Sequence, residues 1–311
     1  MKILLLDKNH PLITEQLSSK GFLFEEDFTS SYGEIFKKIE RFDGIIIRSR
    51  IPIDQKFITH AKNLKFIARV GAGMENIDIE FAKKSGVSLI SSPEGNRDSV
   101  AEHVLGMLLI LMNRLFISSQ EVKNGVWKRE ENRGDEILGK TVGLIGYGNM
   151  GKAVAKRFSG FGCKVIFFDI LNNIGDEFAT QVSLETLKKE ADILSIHLPI
   201  TTETHYLIDE KFISEMAKDF YFINTARGKN VKTNEIVDAI KSGKIKGAAL
   251  DVLEYEKASF ENLDTKNENL EFLLNSEKVI VTPHIAGWTI QSKEKLAQVI
   301  VDKILAEFSE S

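Results

Sequence analysis

One stretch of the chain, residues 140–169, constrains the fold more than any other. Thr141–Ile145 is an apolar, β-branched run, which is typical of a buried parallel strand. Apolar residues at helical spacing follow from about Asn149, and Gly162 stands where a left-handed C-terminal cap is expected. A second apolar run, Lys164–Phe168, then leads into Asp169. The turn between the first strand and the helix contains three glycines in the spacing G-x-G-x-x-G, namely Gly146, Gly148 and Gly151. This order predicts a strand, turn, helix and strand unit.

Each glycine of that spacing has a physical reason. The first turns the chain, the second lets the backbone approach a pyrophosphate, and the third lets the helix pack closely on the strand. The spacing alone also occurs in ordinary turns, so the full context is what favours dinucleotide binding. Asp169 lies 18 residues after Gly151, where an acid meets the adenosine ribose hydroxyls. Residues 170–173 contain no Arg or Lys for a 2′-phosphate, which favours NAD over NADP.

The composition is that of a globular protein large enough for two domains. The chain has 311 residues, 43% hydrophobic and 28% charged, and a net charge of −4. This charge gives no basic field for nucleic acid or a membrane surface, so neither is expected as a partner. The N-terminal apolar run is too short for a signal peptide, and Val104–Met112 is far below the roughly 20 residues of a membrane span. The single cysteine, Cys163, excludes an intramolecular disulfide and indicates a reducing cytoplasm.

Residues 1–97 alternate between strand-like and helical segments, which predicts a smaller parallel sheet covered by helices. The expected strands are Ile3–Leu6, Gly44–Ile47, Lys65–Val70 and Val87–Ile90. Open α/β sheets bind ligands beyond the carboxyl ends of their strands. The loops after two of these strands therefore supply candidate substrate contacts, namely Arg48, Ser49, Gly71, Ala72 and Gly73. The alternatives are a solvated loop for the arginine and a tight turn for the glycines.

The middle and end of the chain continue this pattern. Residues 93–96 break it, and Asp98–Asn124 is expected to form one long helix whose apolar residues suit burial in a dimer interface. After the nucleotide-binding unit we expect strands at Asp192–His197, Phe220–Asn224, Gly247–Val252 and Lys278–Thr282. Thr233 is a candidate cap for the helix that ends at Gly243. A last amphipathic helix, from Trp288 to Phe308, fits either domain.

Three ionisable residues follow predicted strands at the carboxyl side of the second sheet: Arg227, Glu256 and His284. Hydride transfer to a ketone leaves an alkoxide that needs a proton, and histidine is the natural donor near neutral pH. A carboxylate on the other ring nitrogen fixes the tautomer, while an arginine can hold a substrate carboxylate. Singly, each residue also fits a salt bridge, a charged loop or a helix cap. Together they fit one reaction.

The other histidines give weaker signals. His10, His60 and His103 have no spacing that suits a metal ion, and the chain has no cysteine cluster, so no metal site is expected. His197 ends a predicted strand before Leu198 and Pro199. It fits a place in the cofactor site and a purely structural role equally well.

The motifs of the chain resemble, in order and over nearly its whole length, those of the NAD-dependent D-isomer-specific 2-hydroxyacid dehydrogenases. The matching segments are 69–78 (RVGAGMENID), 99–103 (SVAEH), 146–151 (GYGNMG), 197–199 (HLP), 224–228 (NTARG), 249–252 (ALDV) and Pro283-His284. The resemblance implies that Arg227, Glu256 and His284 form the catalytic set. It also implies that Arg227, His284 and Trp288 contact the substrate. The cofactor contacts that it implies, besides the three glycines and Asp169, are Asn149, Met150, His197, Pro199, Thr225, Ala226 and Asp251.

The family fold implies an α/β protein with two parallel-sheet domains, a Rossmann-type domain that binds NAD and a smaller flavodoxin-like substrate domain. The substrate domain would be discontinuous, formed by residues 1–97 and 286–311, with 98–285 as the NAD domain. A homodimer across the helix after residue 98 is also implied. Many phosphoglycerate dehydrogenases carry a further regulatory domain, and feedback through such a domain is not expected for a chain that ends at Ser311.

Three departures from the family pattern concern specificity. Lys257 follows Glu256 where family members usually have proline, an acidic stretch runs from Glu261 to Glu277, and Trp288 stands where a smaller residue is commoner. The expected reaction interconverts a small 2-oxo acid and its D-2-hydroxy acid. The candidates are 3-phosphoglycerate, hydroxypyruvate and glyoxylate. The alternative is an NAD-sensing binding protein of the same fold, against which the intact trio argues.

Overall fold

The computed structural model describes residues 1–256 and 267–309, and these divide into two compact units. The first unit comprises Met1–Asn96 and the segment from Trp288 onward, and the second comprises Arg97–Gly287. Each unit is built on its own parallel sheet with helices on both faces. Lys257 and the first part of the acidic stretch, up to residue 266, lie outside the described residues.

The first unit contains five strands and four complete helices before the chain enters the second unit. The strands are β1 (Lys2–Leu5), β2 (Leu23–Glu26), β3 (Gly44–Ile47), β4 (Phe66–Arg69) and β5 (Ser88–Ser91). The helices are α1 (Leu12–Ser18), α2 (Tyr32–Lys38), α3 (Gln55–His60) and α4 (Ile79–Lys84). Helix α5 (Pro93–Met112) begins in this unit and continues in the second.

Among its described residues, the second unit contains seven strands and the next six helices. The helices are α6 (Leu115–Lys123), α7 (Asn149–Phe158), α8 (Leu184–Glu190), α9 (Glu210–Glu215), α10 (Thr233–Ser242) and α11 (Glu268–Asn275). The strands are β6 (Thr141–Ile145), β7 (Lys164–Phe168), β8 (Thr180–Gln181), β9 (Ile193–Ile196), β10 (Phe220–Asn224), β11 (Ile245–Leu250) and β12 (Val279–Val281). The last helix, α12 (Ile290–Phe308), belongs to the first unit.

The strand orders explain where ligands can bind. The five-stranded sheet has the order β2-β1-β3-β4-β5, which is the flavodoxin-like arrangement. The seven-stranded sheet has the order β12-β11-β10-β9-β6-β7-β8, so the order reverses between β6 and β9. Such a reversal leaves a crevice at the carboxyl ends of the strands, and it is the nucleotide position of the Rossmann fold.

Alternating side chains of the strands build a core on each face of each sheet. In the first unit, Leu4 and Ile45 pack on one face, while Ile3 and Ile46 pack on the other. Buried residues of α12 complete that second face: Ala297, Ile300, Val301 and Ile304. The strands that are buried on both faces read as continuous apolar runs for this reason.

The structure corrects four expectations from the sequence. Residues 93–96 do not break the pattern: they are the first turn of α5, where Pro93 needs no N–H partner. The long helix expected at 98–124 is two helices, because Arg114 adopts a left-handed conformation (φ +51) between α5 and α6. Strand β2 was not expected, since it is a polar edge strand. Thr233 is not a cap: its backbone N–H donates to Glu254.

No single helix of the described residues is long and apolar enough to cross a membrane. Helices α5 and α6 pass that test only as a pair, and the chain bends by 58° between them.

Candidate active site

The turn from β6 to α7 shows which glycines the protein itself requires. Gly146 has φ +92, and a Cβ atom there would lie 2.5 Å from the carbonyl oxygen of His197. A Cβ atom on Gly151 would lie 2.2 Å from the carbonyl oxygen of Gly146. On Gly148, in contrast, a Cβ atom would meet no atom of the described residues within 4 Å. The open space beside Gly148, at the N-terminus of α7, suits the pyrophosphate of a dinucleotide.

Asp169 follows β7 and is held by two backbone groups. One carboxylate oxygen accepts a 2.7 Å hydrogen bond from the N–H of Tyr147, and the other accepts a 2.9 Å bond from the N–H of Leu171. The acid that the sequence assigned to the adenosine ribose is thus fixed beside the glycine turn. The next two residues, Ile170 and Leu171, are apolar and exposed, so they provide no cation that would offset the charge of Asp169.

Two buried polar atoms follow the strands on the other side of the reversal. Nδ1 of His197, after β9, and Oγ1 of Thr225, after β10, have no hydrogen-bond partner within the described part of the chain. Buried polar groups are nearly always paired, so such atoms indicate a bound ligand or water. Burial lowers the pKa of His197 to about 4, so the ring is neutral at physiological pH. Together with the space at Gly148, these atoms fit a dinucleotide.

The remaining cofactor predictions lie near these groups, with one exception. Asn149 and Met150 form the first turn of α7. The carbonyl oxygen of Pro199 accepts from Thr204, and that of Ala226 accepts from Arg227. The exception is Asp251. Its side chain is 1% exposed, and its carboxylate accepts hydrogen bonds from other residues of the protein.

His284 and Glu256 form a pair at the carboxyl edge of the seven-stranded sheet. Nδ1 of His284 lies 2.7 Å from Oε2 of Glu256, and the other carboxylate oxygen accepts a 2.5 Å bond from the N–H of Leu253. Both side chains are mostly buried, with 26% and 12% of their surface exposed. A carboxylate oxygen accepts hydrogen bonds, so Nδ1 of His284 is the donor in this contact.

The carboxylate of Asp251, after β11, holds the loop that carries His284. It accepts hydrogen bonds from the N–H groups of Ile285 and Ala286, at 2.9 and 2.8 Å, and from Oγ1 of Thr282 at 2.5 Å. Burial by itself would raise the pKa of Asp251, but hydrogen bonds from His103, Thr282 and the two N–H groups outweigh it. The pKa is therefore lowered, and the group is ionised. Its backbone carbonyl also accepts a 2.8 Å bond from the N–H of His284.

Arg227 lies three residues after β10, in a loop braced by two buried asparagines. Asn224 accepts from the N–H of Ala226 and donates to the carbonyl oxygen of Arg227. Asn230 accepts from the N–H of Arg227 and donates to the carbonyl oxygen of Pro199. A Cβ atom on Gly228 would lie 2.1 Å from the backbone of Leu253, so this loop packs against the one that precedes Glu256.

The three predicted catalytic residues thus stand after β10, β11 and β12, which are adjacent strands. The sequence did not reveal Asn230, nor the pair formed by Tyr206 and Glu254. The hydroxyl of Tyr206 donates to Glu254 at 2.5 Å, and this raises the pKa of Tyr206 to about 12. A short-range signal for Asn230 was present, since asparagine three residues after a loop arginine can bond back to its N–H.

The predicted substrate contacts of the first unit lie at the carboxyl edge of its own sheet. Arg48 follows β3; its N–H donates to Asp7 at 2.6 Å, and its guanidinium stacks on the ring of Trp288 at 4.1 Å. Ser49 is partly buried in the same loop. Gly71 is pinned by a 2.9 Å bond from its N–H to Ser92, and Ala72 and Gly73 follow it. Arg50 is structural, because its guanidinium donates to three carbonyl oxygens, those of Leu6, Asp27 and Ser30.

Within residues 1–256 and 267–309, no group of three or more His, Cys, Asp or Glu side chains is arranged to hold a metal ion.

The strand order, the glycine turn and the fixed acid after β7 define a Rossmann-type dinucleotide-binding protein. The family model for the NAD binding domain of D-isomer specific 2-hydroxyacid dehydrogenases matches residues 105–286. Hydroxypyruvate reductase of Thermotoga maritima is 35% identical over 274 residues, which cover 88% of this chain and 87% of that protein. The chain belongs to the D-isomer specific 2-hydroxyacid dehydrogenase family.

Other relatives carry the same family names. D-3-phosphoglycerate dehydrogenase of Archaeoglobus fulgidus is 32% identical over 98% of this chain, which covers 57% of that longer protein. The crystal structure of D-lactate dehydrogenase from Aquifex aeolicus with NAD and lactic acid has a TM-score of 0.84 and 30% identity, covering 98% of this chain and 95% of that one. The protein is accordingly an NAD-dependent oxidoreductase, and nothing in these relatives supports the alternative of a sensor.

Proposed function

We propose that the protein reduces a small 2-oxo acid to its D-2-hydroxy acid, with His284, Glu256 and Arg227 as the catalytic residues. The observation that carries this proposal is the 2.7 Å contact between His284 and Glu256 on the loops after adjacent strands. When bound, NADH supplies the hydride. In this proposal residues 98–285 bind NAD, and residues 1–97 with 286–311 contribute the substrate loops.

His284 supplies the proton that the developing alkoxide needs. Its Nδ1 proton is held by Glu256, so the exchangeable proton is the one on Nε2. The carboxylate stabilises the imidazolium before transfer and keeps the neutral ring oriented after it. In the reverse direction the same nitrogen takes the proton from the substrate hydroxyl.

Arg227 binds the substrate carboxylate and polarises the neighbouring carbonyl. A planar guanidinium can donate two parallel hydrogen bonds to a carboxylate, which orients the carbonyl carbon as well as binding the acid. The bracing of its loop by Asn224 and Asn230 reduces the entropy that is lost when substrate binds.

Gly148, Asp169, His197 and Thr225 would hold the cofactor. The backbone beside Gly148 faces open space for the pyrophosphate, and Asp169 would accept from the ribose hydroxyls. Nδ1 of His197 and Oγ1 of Thr225 would gain the partners that they lack within the protein. An acid at position 169 repels the 2′-phosphate of NADPH, so we expect a preference for NADH of about tenfold or more.

Hydroxypyruvate and glyoxylate are the substrates that we favour, and 3-phosphoglycerate is the third candidate. The relatives named for the first two acids match most of their own length, whereas the phosphoglycerate dehydrogenase is matched over 57%. The test is oxidation of NADH, and separately of NADPH, by the purified protein with glyoxylate, hydroxypyruvate, phosphohydroxypyruvate and pyruvate. Turnover of none of these acids would overturn the proposal.

We further propose a homodimer in a reducing cytoplasm. Helix α6 and the segment after it expose apolar side chains that a second copy would cover, notably Leu115, Phe116 and Trp127, which are 51%, 57% and 81% exposed. The one cysteine, Cys163, is partly buried, and burial raises the pKa of its thiol, which keeps it protonated and unreactive.

A further inference from the structure

Helix α5 contacts both ends of the loop whose centre is His284. Nε2 of His103, on this helix, lies 3.1 Å from Oγ1 of Thr282 and 3.5 Å from Oδ1 of Asp251. One helical turn earlier, Ser99 donates a 2.6 Å hydrogen bond to the carbonyl oxygen of Ala286. From the sequence, His103 was considered only as a metal ligand, and its spacing did not suit a metal site.

The direction of the hydrogen bonds at His103 follows from counting protons. Asp251 is ionised and can only accept. Oγ1 of Thr282 has a single proton and lies 2.5 Å from Oδ1 of Asp251, whereas its other neighbour, the weakly accepting thioether of Met107, is 3.8 Å away. Thr282 therefore donates to Asp251 and accepts from His103, so Nε2 of His103 carries a proton. The result is a chain of two hydrogen bonds, in which His103 donates to Thr282 and Thr282 donates to Asp251.

This chain ends on the carboxylate that keeps the backbone of His284 in place. His284 has φ +56, a left-handed conformation that costs a non-glycine residue on the order of 1 kcal/mol or more. Such a residue persists only when its surroundings determine its conformation. Asp251 supplies these contacts, through the N–H groups of Ile285 and Ala286 and through its own carbonyl oxygen. A carboxylate that rotates would release the N–H groups of Ile285 and Ala286.

We propose that His103 is a positioning residue, which acts through Thr282 and Asp251 to hold His284 in the conformation that places its ring against Glu256. The inference rests on the proposed role of His284 as proton donor. Removing the Nε2 donor takes away the hydrogen bond that holds the hydroxyl of Thr282 from the side of α5, and the loop with His284 gains freedom. A displacement of about 1 Å in a catalytic group can cost up to a hundredfold in rate.

The test compares two substitutions of His103 that differ in one donor. His103→Leu removes the donor, and His103→Gln keeps an N–H donor at a similar distance from the backbone. We expect kcat to fall about tenfold in the leucine variant and to stay within twofold of the wild type in the glutamine variant. The dissociation constant for NADH should change less than twofold in both. Glu102→Gln, at an exposed neighbour on the same helix, is the matched control and should leave kcat unchanged.

A second pair of variants tests the chain of hydrogen bonds at Thr282, and it remains informative if His103→Leu does not fold. Thr282→Ser keeps the hydroxyl and Thr282→Val removes it at nearly constant volume, so only the valine variant should be slow. The double variant His103→Leu with Thr282→Val should be no slower than the slower single variant, because both changes break one chain. Three outcomes would overturn the proposal. The first is a wild-type rate in both His103→Leu and Thr282→Val, and the second is an equal loss of rate in the two variants of each matched pair. The third is a loss in the double variant that equals the sum of the two single losses.

Measuring His284→Asn alongside separates this inference from the proposed function. If His284→Asn keeps the wild-type kcat, the assignment of the proton donor fails. If His284→Asn is slow while His103→Leu and Thr282→Val are not, only the role of His103 fails. The ¹⁵N resonances of the His284 ring give a readout besides rate, and they should move in His103→Leu but not in His103→Gln.

Discussion

Single residues of the candidate site are defined by the protons and hydrogen bonds that surround them. His284 has one nitrogen committed to Glu256, His197 has one buried nitrogen without a partner in the described chain, and Arg227 stands in a braced loop. The same residue type thus lies in two different environments, one beside a carboxylate and one in which burial lowers the pKa of the ring.

Arg227→Lys separates charge from geometry. The ammonium of lysine has the same charge but cannot donate two parallel hydrogen bonds to one carboxylate. We expect a loss in kcat/KM of at least about a hundredfold, roughly 2.7 kcal/mol, with a change in the Kd for NADH of less than about threefold. Steady-state kinetics and fluorescence titration measure the two quantities. A lysine variant with nearly wild-type kcat/KM would show that Arg227 provides only charge.

Glu256→Gln changes the pH dependence of ketone reduction. Reduction requires a protonated donor, so the rate falls on the basic side of the profile as His284 loses its proton. A neutral amide stabilises the imidazolium less than a carboxylate does, and the basic limb should therefore move to lower pH. Profiles of kcat/KM against pH for the wild type and the variant measure this shift. An unmoved limb would mean that the 2.7 Å contact does not govern protonation.

His197 makes folding stability depend on pH. Burial lowers its pKa to about 4 in the folded protein, against 6.5 for an ordinary histidine. The unfolded state therefore binds a proton first, and stability is full above pH 6.5 and is lost as pH falls from 6.5 towards 4. Urea unfolding at pH 7 and pH 5 should show a smaller loss for His197→Gln than for the wild type. Equal losses would contradict the lowered pKa.

At the scale of elements, the turn from β6 to α7 separates glycines that the fold needs from one that a ligand needs. The carbonyl oxygen of Gly146 leaves no room for a side chain on Gly151, whereas Gly148 faces open space. The same G-x-G-x-x-G spacing therefore contains two kinds of constraint. Only the packing of α7 on β6 distinguishes them.

Alanine at these two glycines should give opposite results. Gly151→Ala places a Cβ atom against the backbone and should lower the free energy of unfolding by about 1 to 3 kcal/mol. Gly148→Ala, at φ −82, should unfold like the wild type but bind NADH at least about tenfold more weakly, because the methyl group occupies the space proposed for the pyrophosphate. Thermal unfolding and NADH titration measure both. Wild-type NADH affinity in Gly148→Ala would place the cofactor elsewhere.

At the scale of the molecule, the chain forms two units, and each is built on a parallel sheet with its own strand order. The first unit is completed by α12, which comes from the far end of the sequence and buries Ile300, Val301 and Ile304 on the five-stranded sheet. The second unit carries the predicted catalytic trio on three adjacent strands. Each unit offers loops at the carboxyl edge of its sheet, where its predicted ligand contacts lie.

The apolar surface of α6 predicts an association that mutation can abolish. Phe116→Asp places a charge where a second copy would bury an aromatic ring, so the variant should be a monomer of about half the wild-type mass in light scattering. Lys211→Asp is the control and should leave the mass unchanged, because Lys211 is an exposed residue of α9, which packs on the other face of the sheet from α5. A monomeric wild type would contradict the proposed dimer.

The sequence by itself determined the features that local physics controls. The bounds predicted for β3, β6, β7 and β10 agree with the structure, because apolar, β-branched runs that end at glycine or polar residues leave few alternatives. The start of α7 and the left-handed Gly162 follow from the same rules. The comparisons confirm the family, which the spacing of the motifs had indicated.

Only the tertiary structure decided the rest, because it depends on residues far apart in the chain. Glu254 accepts from the first N–H group of α10, that of Thr233, and so no cap at Thr233 was needed. Asp251 bonds the loop around His284, and His103 reaches that carboxylate from a helix about 150 residues earlier. A sequence pattern reports the period of a helix or strand. It does not report which distant side chain satisfies a buried hydrogen bond.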